Sequence, residues 1–434
     1  MIKRLLIANR GEIAVRIIRT CREMGIETVA VYSTADQHSL HVRLADQAVC
    51  IGPPPSAGSY LVRNNLIMAA LNTGCEAVHP GVGFLSENAE FARTVRDRGL
   101  VFIGPDPEVI ELLGDKVRAR TTARRFGLPV TPGTEGVVAG EDAAKKAAAG
   151  LGYPVIIKAA SGGGGKGMRI VRSPSELGTN LALAKAEAEA NFSDGSVYIE
   201  RYLENPRHVE LQIIAGSSVA VLGERDCSVQ KNHQKLIEES PSPGVDSGMR
   251  KRMTRGAVKM FRELGYRGAG TIVFLVEGNK FYFMEVNARV QVEHPVSEMV
   301  CGMDIIRAQI LACTGSGLDT KNIHPEGWAM ECRINALRPG TVNRLEIPGG
   351  PGVRFDSLLY PGYTVLPYYD SMVAKLIVHA PDREGALRRM ERALRELVIE
   401  GVTTNRERQL RIIGDPVFRS GNFGTAYYQN MKED

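Results

Sequence analysis

The chain has 434 residues, which is too long for one hydrophobic core and predicts two to four domains. Its apolar content of 44% and charged content of 24% are those of an ordinary globular protein. The net charge of +5 is small for this length and argues against a dedicated nucleic-acid binder, which would cluster its Lys and Arg residues. No apolar run approaches the roughly 20 residues of a membrane span, so a membrane protein is not expected.

The cysteines and the N-terminus predict a cytoplasmic protein. The seven cysteines are odd in number, are scattered, and form no C-x-x-C pair. This excludes a zinc-ribbon pattern and favours reduced thiols. The first residues, Met1 to Arg4, run straight into a predicted strand without the apolar segment of a signal peptide.

The first 110 residues alternate between strand and helix patterns. Apolar residues 5–8 predict a buried strand, and 12–24 predict an amphipathic helix. Further strands are predicted at 28–32, 48–51, 77–78 and 101–103. This alternation predicts an open parallel sheet. The first strand lacks a following G-x-G-x-x-G, so a strong dinucleotide site is not expected.

A glycine-rich loop at 161–168 follows helices predicted at 117–126 and about 141–151 and a strand at 155–159. A strand pattern rather than a helix follows the loop, which excludes the dinucleotide-binding fingerprint. Gly167 follows Lys166 where a Walker A motif has Ser or Thr. We predict a hairpin whose N–H groups fold over phosphates as a lid, with a merely flexible hairpin as the alternative.

The rest of the chain predicts a mixed α+β arrangement. The predicted elements are a helix at about 175–190, a strand at 197–203, strands within 207–237, a helix at 249–264, a hairpin of 271–276 with 281–286, strands near 330–334 and 373–378, and a helix at 384–398. The last helix carries Glu384 with Arg388 and Glu391 with Arg395, which are i,i+4 pairs typical of a solvated face.

The stretch 285–294 is the strongest candidate site. Run as an extended chain, it places Glu285, Asn287, Arg289, Gln291 and Glu293 on one face. These groups are costly to bury after the apolar lead-in 281–284 unless they meet a metal, each other or a ligand. We therefore predict a site for Mg²⁺ and an oxyanion. The alternative is an edge strand with a solvated polar face.

Many long motifs of the chain resemble biotin carboxylase. They lie at residues 7–14, 79–81, 83–88, 114–116, 161–168, 200–208, 224–228, 233–235, 285–295, 331–335 and 367–372. The resemblance implies an ATP-grasp fold of the α/β and α+β classes. It implies a Rossmann-like N-terminal domain at 1–113, an ATP-grasp domain at 114–318 with a mobile lid at about 131–203, and a C-terminal domain at 329–434.

The resemblance also implies a ligase reaction. Bicarbonate attacks the γ-phosphate of MgATP to give carboxyphosphate, and the CO₂ released carboxylates N1′ of biotin on a carrier protein. The implied partners are a biotin carboxyl carrier protein and a carboxyltransferase on separate chains, as in the acetyl-CoA carboxylase of fatty acid biosynthesis. A homodimer is implied by Arg19, Glu23 and Arg354, although Pro351 replaces a Phe of that interface.

The site residues implied by the resemblance fall into four groups. The nucleotide would be held by Lys116, Lys158, Gly164, Gly165, Glu200, Arg201, Leu203, His208, His233 and Glu285. Mg²⁺ would be bound by Glu285 and Asn287. Bicarbonate would be held by Lys235, Arg289, Gln291 and Val292, with Glu293 as the base. Arg333 would stabilise the biotin enolate.

Val273 stands where the family has a second metal-binding Glu. A two-residue hairpin loop would place Ile272 opposite Glu285, and a three-residue loop would place Val273 there. Neither residue is a ligand, so we expect weaker metal binding, with one ion rather than two.

Two further departures border the expected biotin pocket. Val82 replaces an aromatic residue of the family, and the loop after Ala336 is shortened. Two alternatives to the carboxylase therefore stand: an ATP-grasp ligase that uses another nucleophile, and a catalytically impaired subunit paired with an active paralogue.

Overall fold

The computed structural model describes residues 2–160, 167–232, 234–315, 317 and 323–431. The strands, in chain order, are β1 (Arg4–Ile7), β2 (Glu27–Ser33), β3 (Gln47–Gly52), β4 (Ala77–His79), β5 (Val101–Phe102), β6 (Val155–Ala159), β7 (Met168–Val171), β8 (Val197–Arg201), β9 (Arg207–Ala215), β10 (Val219–Lys231), β11 (Gln234–Ser240), β12 (Gly268–Glu277), β13 (Lys280–Asn287), β14 (Trp328–Asn335), β15 (Gly340–Thr341), β16 (Arg344–Glu346), β17 (Val353–Ser357), β18 (Thr364–Val365), β19 (Met372–Ala380) and β20 (Val398–Glu400).

The α-helices are α1 (Gly11–Glu23), α2 (Leu40–Leu44), α3 (Arg63–Asn72), α4 (Ala89–Asp97), α5 (Pro107–Gly114), α6 (Lys116–Arg125), α7 (Glu141–Leu151), α8 (Leu177–Phe192), α9 (Ser247–Glu263), α10 (His294–Cys301), α11 (Ile305–Thr314), α12 (Arg383–Glu396), α13 (Arg406–Gly414), α14 (Pro416–Ser420) and α15 (Tyr427–Asn430). Within the described ranges, no helix is both long enough and apolar enough to cross a bilayer.

The N-terminal part is an open parallel sheet with strand order β3-β2-β1-β4-β5. The predicted parallel sheet is therefore confirmed. Helix α1 buries Ile13, Ile17 and Ile18, while Arg19 and Glu23 face solvent. This split follows from the 3.6-residue period of its apolar positions.

A small antiparallel sheet, β7-β6-β8, carries α7 and α8 on a core of its own that includes Val155, Ile157 and Leu181. The glycine-rich residues 161–166 join β6 to β7 and lie outside the described residues. Both the phosphate-lid interpretation and the flexible-hairpin interpretation therefore remain predictions.

The central feature is an eight-stranded antiparallel sheet with order β13-β12-β9-β10-β11-β14-β19-β17. The pairing of β11 with β14 joins residues 234–240 to residues 328–335. The sheet thus runs without a break from the middle of the chain into its C-terminal part. On α12, the predicted exposed pairs form, with Arg388 3.4 Å from Glu384 and Arg395 2.8 Å from Glu391.

The hairpin β12–β13 corrects the predicted register. Its loop has two residues, since Glu277 pairs with Lys280, yet Val273 lies opposite Glu285. An irregularity between the Phe274 and Val273 pairs inserts Met284 as one extra residue, which is a β-bulge. Loop length alone predicts Ile272 opposite Glu285, and the bulge overturns that rule.

Strand β13 is the first strand in the sheet order and so lies at its edge. The alternative that this strand lies at a sheet edge is therefore correct, although the apolar residues 281–284 argued against it. Phe281 and Phe283 are nevertheless buried, and the backbone N–H of Phe283 donates to the Pro129 carbonyl at 2.7 Å. This contact covers the edge, so the strand does not have the solvated character of the alternative.

Two buried histidines predict acid sensitivity. Burial lowers the pKa of His41 to about 4 and that of His79 to about 3. An unfolded imidazole titrates near pH 6.5. The unfolded chain therefore binds protons first, and stability that is complete above about pH 6.5 is lost as the pH falls towards 4.

We expect the His41→Gln variant to lose less free energy of unfolding between pH 7.5 and pH 5 than the wild type, by about 2 kcal/mol. Urea unfolding at the two pH values measures this difference. The exposed His38 provides the matched control, because His38→Gln should keep the wild-type pH dependence. An unchanged slope in His41→Gln would contradict the assignment.

Candidate active site

One cleft of about 1010 Å³ collects the predicted site residues. Those of them that the structure describes all line this cleft: Lys116, Lys158, Glu200, Arg201, Leu203, His208, Lys235, Glu285, Asn287, Arg289, Gln291, Val292, Glu293 and Arg333. Gly164, Gly165 and His233 lie outside the described residues. The cleft is thus bordered by the small sheet, the central sheet and the segment that follows β13.

The segment 285–293 reaches the cleft by a different path from the predicted one. Strand β13 ends at Asn287, and residues 288–293 leave the sheet before α10 begins at His294. Ala288, Val290, Gln291 and Glu293 are all buried, so the even-numbered and the odd-numbered residues of this segment are both enclosed. The predicted extended run therefore ends at Asn287, but the five side chains predicted to share a face all line the one cleft. Pro295 in the first turn of α10 suits the helix start that ends this segment.

Glu293 lies between two cations. Its Oε1 accepts from Lys235 Nζ at 2.5 Å, and its Oε2 accepts from an Arg333 terminal nitrogen at 2.9 Å. Arg333 also donates through Nε to Glu238 at 2.6 Å. Both glutamates are buried. The side chain of Glu293 is therefore fixed at both oxygens.

A second carboxylate, Glu210, continues the chain of charges. It accepts a hydrogen bond from Lys235, lies 3.1 Å from Arg225 and contacts His208 Nε2 at 3.0 Å. Arg225 is fully buried and is also held by the side chains of Gln212 and Ser297. The side-chain charges therefore alternate in sign along the series Arg225, Glu210, Lys235, Glu293, Arg333 and Glu238.

This alternation sets the protonation of Glu293. Burial alone would raise the pKa of Glu293, but Lys235 and Arg333 outweigh it and the pKa is lowered. The neighbouring carboxylates likewise raise the pKa of Lys235 against the effect of burial. The carboxylate is therefore ionised and can accept a proton.

Glu210, Cys227 and Glu293 place one ligand atom each within 4.8 Å of one another. The Lys235 ammonium bonds to both carboxylates of this group. An internal cation thus already compensates their charge. This group therefore does not need a metal ion for charge balance.

The opposite end of the cleft is cationic. Lys158 Nζ donates to Glu200 at 2.6 Å, and Glu200 also pairs with Arg120. Burial and the nearby Arg120 and Lys116 cations lower the pKa of Lys158 to about 7, and the charge of Glu285 opposes that shift. Burial also lowers the pKa of Lys116. Crowded, half-desolvated cations of this kind fit a polyanion such as a triphosphate.

Two oxygen-bearing side chains face the same space. Glu285 and Asn287 are alternate residues of β13 and line the cleft. Opposite Glu285 lies Val273, which is fully buried and has Glu210 as its partner on the other side. Glu285 and Asn287 fit Mg²⁺, which prefers oxygen ligands and completes its octahedron with water and substrate phosphates.

Arg289 is oriented from the N-terminal part of the chain. Its Nε donates to Glu87 Oε2 at 2.8 Å, and Glu87 Oε1 accepts the Ala288 N–H at 2.9 Å. One carboxylate thereby holds both a side chain and the backbone next to it. This contact fixes the direction in which Arg289 enters the cleft.

The Arg333 end of the cleft adjoins one altered position, the loop after Ala336, and the other altered position, Val82, also belongs to the cleft wall. Val82 lines the cleft, and its carbonyl accepts a hydrogen bond from Asn9 at 2.8 Å. Asn335 also lines the cleft, whereas the next residue, Ala336, donates its N–H to Ser371 and the chain turns away. Asp370 and Met372 complete this end.

The sequence patterns did not single out several residues that hold the site. These are Glu12, Glu87, Arg120, Glu210, Glu238 and Lys375. Glu210 lies between Val209 and Leu211, and Glu238 follows Leu236 and Ile237. A charged residue beside apolar strand residues is the one signal that could have marked them. The ion-pair partners of Glu210 and Glu238 depend on the order of the strands in the sheet, which cannot be read from a charged residue in one strand.

Three family descriptions match consecutive parts of the chain. Residues 1–110 match "Biotin carboxylase, N-terminal domain", residues 115–321 match "Carbamoyl-phosphate synthase L chain, ATP binding domain", and residues 331–430 match "Biotin carboxylase C-terminal domain". Among individual proteins, the chain is 51% identical over 443 residues to a biotin carboxylase of Nostoc sp., covering 99% of each chain. It is 50% identical over 441 residues to that of Haemophilus influenzae, covering 99% of this chain and 98% of the relative.

Solved structures agree with this similarity. A biotin carboxylase–beta-gamma-ATP complex from Campylobacter jejuni superposes with a TM-score of 0.97 at 45% identity and 99% coverage of both chains. The biotin carboxylase domain dimer of a Hydrogenobacter thermophilus 2-oxoglutarate carboxylase, in complex with MgADP, ADP and bicarbonate, gives a TM-score of 0.95 at 43% identity, covering 99% of this chain and 97% of that one. With its domain descriptions, its relatives and its ATP-grasp fold in agreement over nearly the whole length, the chain belongs to the biotin carboxylase family.

Proposed function

We propose that the protein carboxylates biotin on a separate carrier protein, with ATP and bicarbonate as co-substrates, as the biotin carboxylase component of an acyl-CoA carboxylase. The observation that carries this proposal is the position of Glu293, an ionised carboxylate fixed between Lys235 and Arg333 in a cleft whose other end is cationic. A base, an anion site and a phosphate site thereby share one enclosed space.

The nucleotide occupies the end formed by Lys116, Lys158 and Glu200, with Arg201, Leu203 and His208 along its walls. The glycine-rich residues Gly164 and Gly165 and His233 complete this set on the basis of the family resemblance. The Lys ammonium groups neutralise phosphate charge, which is most of what phosphoryl transfer requires from a protein. Glu285 and Asn287 would hold Mg²⁺, which would supply further positive charge to neutralise the phosphates.

Bicarbonate lies between Lys235, Arg289, Gln291 and Val292. The planar guanidinium of Arg289 suits a carbonate-like anion better than an ammonium would. Glu293 removes the proton, and the resulting oxyanion attacks the γ-phosphorus with departure of ADP. The carboxyphosphate formed breaks down to CO₂ and phosphate, the released phosphate takes the proton of biotin N1′, and N1′ attacks the CO₂. Arg333 stabilises the enolate oxygen of biotin during that step.

The domain division at 1–113, 114–318 and 329–434, with a mobile lid at about 131–203, is part of the proposal. We further propose a cytoplasmic homodimer, since all seven cysteines are free thiols and Arg19, Glu23 and Pro351 are exposed. Arg354 pairs with Glu298 and Asp356 of its own chain. In the proposed dimer it would contact the partner subunit while keeping these two ion pairs.

A bicarbonate-dependent ATPase assay on the purified full chain, with and without free biotin, tests the proposal. ATP hydrolysis that requires bicarbonate and rises with biotin is the expected result. Stimulation by another nucleophile, such as an amine, but not by biotin would instead support the divergent ligase. No ATP turnover at any Mg²⁺ concentration would support the impaired subunit.

We expect Val273→Glu to strengthen Mg²⁺ binding. The new carboxylate would lie between Glu210 and Glu285 on adjacent strands, where a bound cation offsets the mutual repulsion of the three carboxylates. The Mg²⁺ concentration for half-maximal ATPase should fall about tenfold, and stability in EDTA should fall as well.

The matched control is Val273→Gln, which has the same shape without the charge. It should leave the Mg²⁺ dependence unchanged. Equal Mg²⁺ curves for Val273→Glu and Val273→Gln would count against our account of this position.

We expect Glu87→Ala to raise the KM for bicarbonate about tenfold or more. The variant removes a charge-assisted hydrogen bond to Arg289, and such bonds contribute about 1.5–3 kcal/mol. The KM for ATP should change less than about twofold, because the variant leaves Lys116, Lys158 and Glu200 in place.

Steady-state kinetics with bicarbonate and ATP varied separately provide the measurement. Glu90→Ala is the matched control, since Glu90 is exposed and pairs with Arg63 on the surface. A wild-type KM for bicarbonate in Glu87→Ala would show that Glu87 does not orient Arg289.

A further inference from the structure

Lys375 is a fully buried lysine on β19 whose ammonium contacts two other parts of the chain. Its Nζ donates to the backbone carbonyl of Val292 at 2.8 Å. It also lies 3.1 Å from Oε1 of Glu12, in the first turn of α1. One charge thereby connects the N-terminal part, the segment before α10 and the C-terminal part.

The surroundings of Lys375 make it expensive as a purely structural residue. Its neighbours on β19, Ala374 and Leu376, are fully buried apolar residues. Glu331 on the adjacent strand is also fully buried, and neither of its carboxyl oxygens has a hydrogen-bond partner among the described residues. Replacing a buried ion pair with apolar residues is often neutral or stabilising, so stability alone does not explain this arrangement.

The strand register gives Lys375 a specific relation to the base. Lys375 on β19 lies directly opposite Arg333 on β14. Directly opposed like charges destabilise a sheet. These two cations nevertheless hold adjacent groups, since Arg333 binds the Glu293 side chain at 2.9 Å and Lys375 binds the carbonyl of the preceding residue, Val292.

We propose that Lys375, supported by Glu12, is a positioning residue that fixes the Val292–Glu293 backbone for bicarbonate binding and proton removal. The inference rests on the proposed function, because it takes Val292 and Glu293 as the bicarbonate contact and the base. Without the ammonium, Arg333 and Lys235 still hold the Glu293 carboxylate, but the backbone that carries it is released. A displacement near 1 Å at such a site is enough to reduce activity strongly.

The test compares Lys375→Met, Glu12→Gln and the double variant. The single Lys375→Met change leaves Glu12 buried without its partner and can prevent folding. The double variant removes both charges and keeps similar volumes, so it isolates the loss of the Val292 contact. Arg383→Met is the matched control, because Arg383 forms a comparable pair with the buried Glu239 at 2.8 Å without contacting the 288–293 segment.

Two measurements are made on each full-length variant: the KM values for bicarbonate and ATP, and hydrogen exchange of the backbone amides in residues 288–296. In the double variant we expect the bicarbonate KM to rise at least tenfold, the ATP KM to change less than twofold, and exchange in this segment to accelerate. Arg383→Met should lower thermal stability without either change. If Lys375 had only a structural role, the double variant would likewise lose thermal stability without a change in the bicarbonate KM or in hydrogen exchange.

A folded double variant with wild-type bicarbonate KM and wild-type exchange overturns the inference. If the wild-type protein itself shows no bicarbonate-dependent ATP turnover, the proposed function fails. The exchange measurement still decides the positioning role in that case, since unchanged exchange in the double variant rejects it and faster exchange supports it.

Discussion

The active site depends on a buried row of charges that alternate in sign, from Arg225 through Glu210, Lys235, Glu293 and Arg333 to Glu238. Each of these groups would be costly to remove from water alone, and each is compensated by a neighbour within hydrogen-bond distance. Removing Arg333 would leave Glu238 without its partner in the row, and removing Glu210 would do the same to Arg225. The row therefore holds Glu293 ionised and oriented before any substrate arrives, which is electrostatic preorganisation.

The sheet supplies this row because four neighbouring strands, β9, β10, β11 and β14, present polar side chains in matched register. Glu293 comes from a different source, since its segment leaves the sheet after Asn287. Arg333 then contacts its side chain, Lys375 contacts the preceding carbonyl, and Glu87 holds the backbone at Ala288. Glu293, the proposed base, is thus supported from all three parts of the chain, so the site exists only when these parts are packed together.

The sequence predicted those features that depend on local periodicity. The parallel sheet, α1 and the β12–β13 hairpin follow from apolar spacing and turn residues. The extra residue at Met284 could not be predicted, because a bulge depends on how two strands pack rather than on loop length. The end of β13 at Asn287 could not be predicted for a related reason, since the path of residues 288–293 depends on contacts with distant residues such as Glu87. Strand periodicity and residue chemistry marked the five cleft residues between Glu285 and Glu293, and the resemblance identified the others.

The position of Val273 shows how the charge row and the metal ligands are related. Val273 separates Glu210, a member of the row, from Glu285, a proposed metal ligand. A carboxylate at this position would extend the negative charge from one group to the other and would make the balance of the row depend on a bound cation. With valine there, Lys235 and Arg225 compensate Glu210 by themselves. The charge row is therefore compensated without metal, and the proposed ion would have only to match Glu285, Asn287 and the phosphates of the nucleotide.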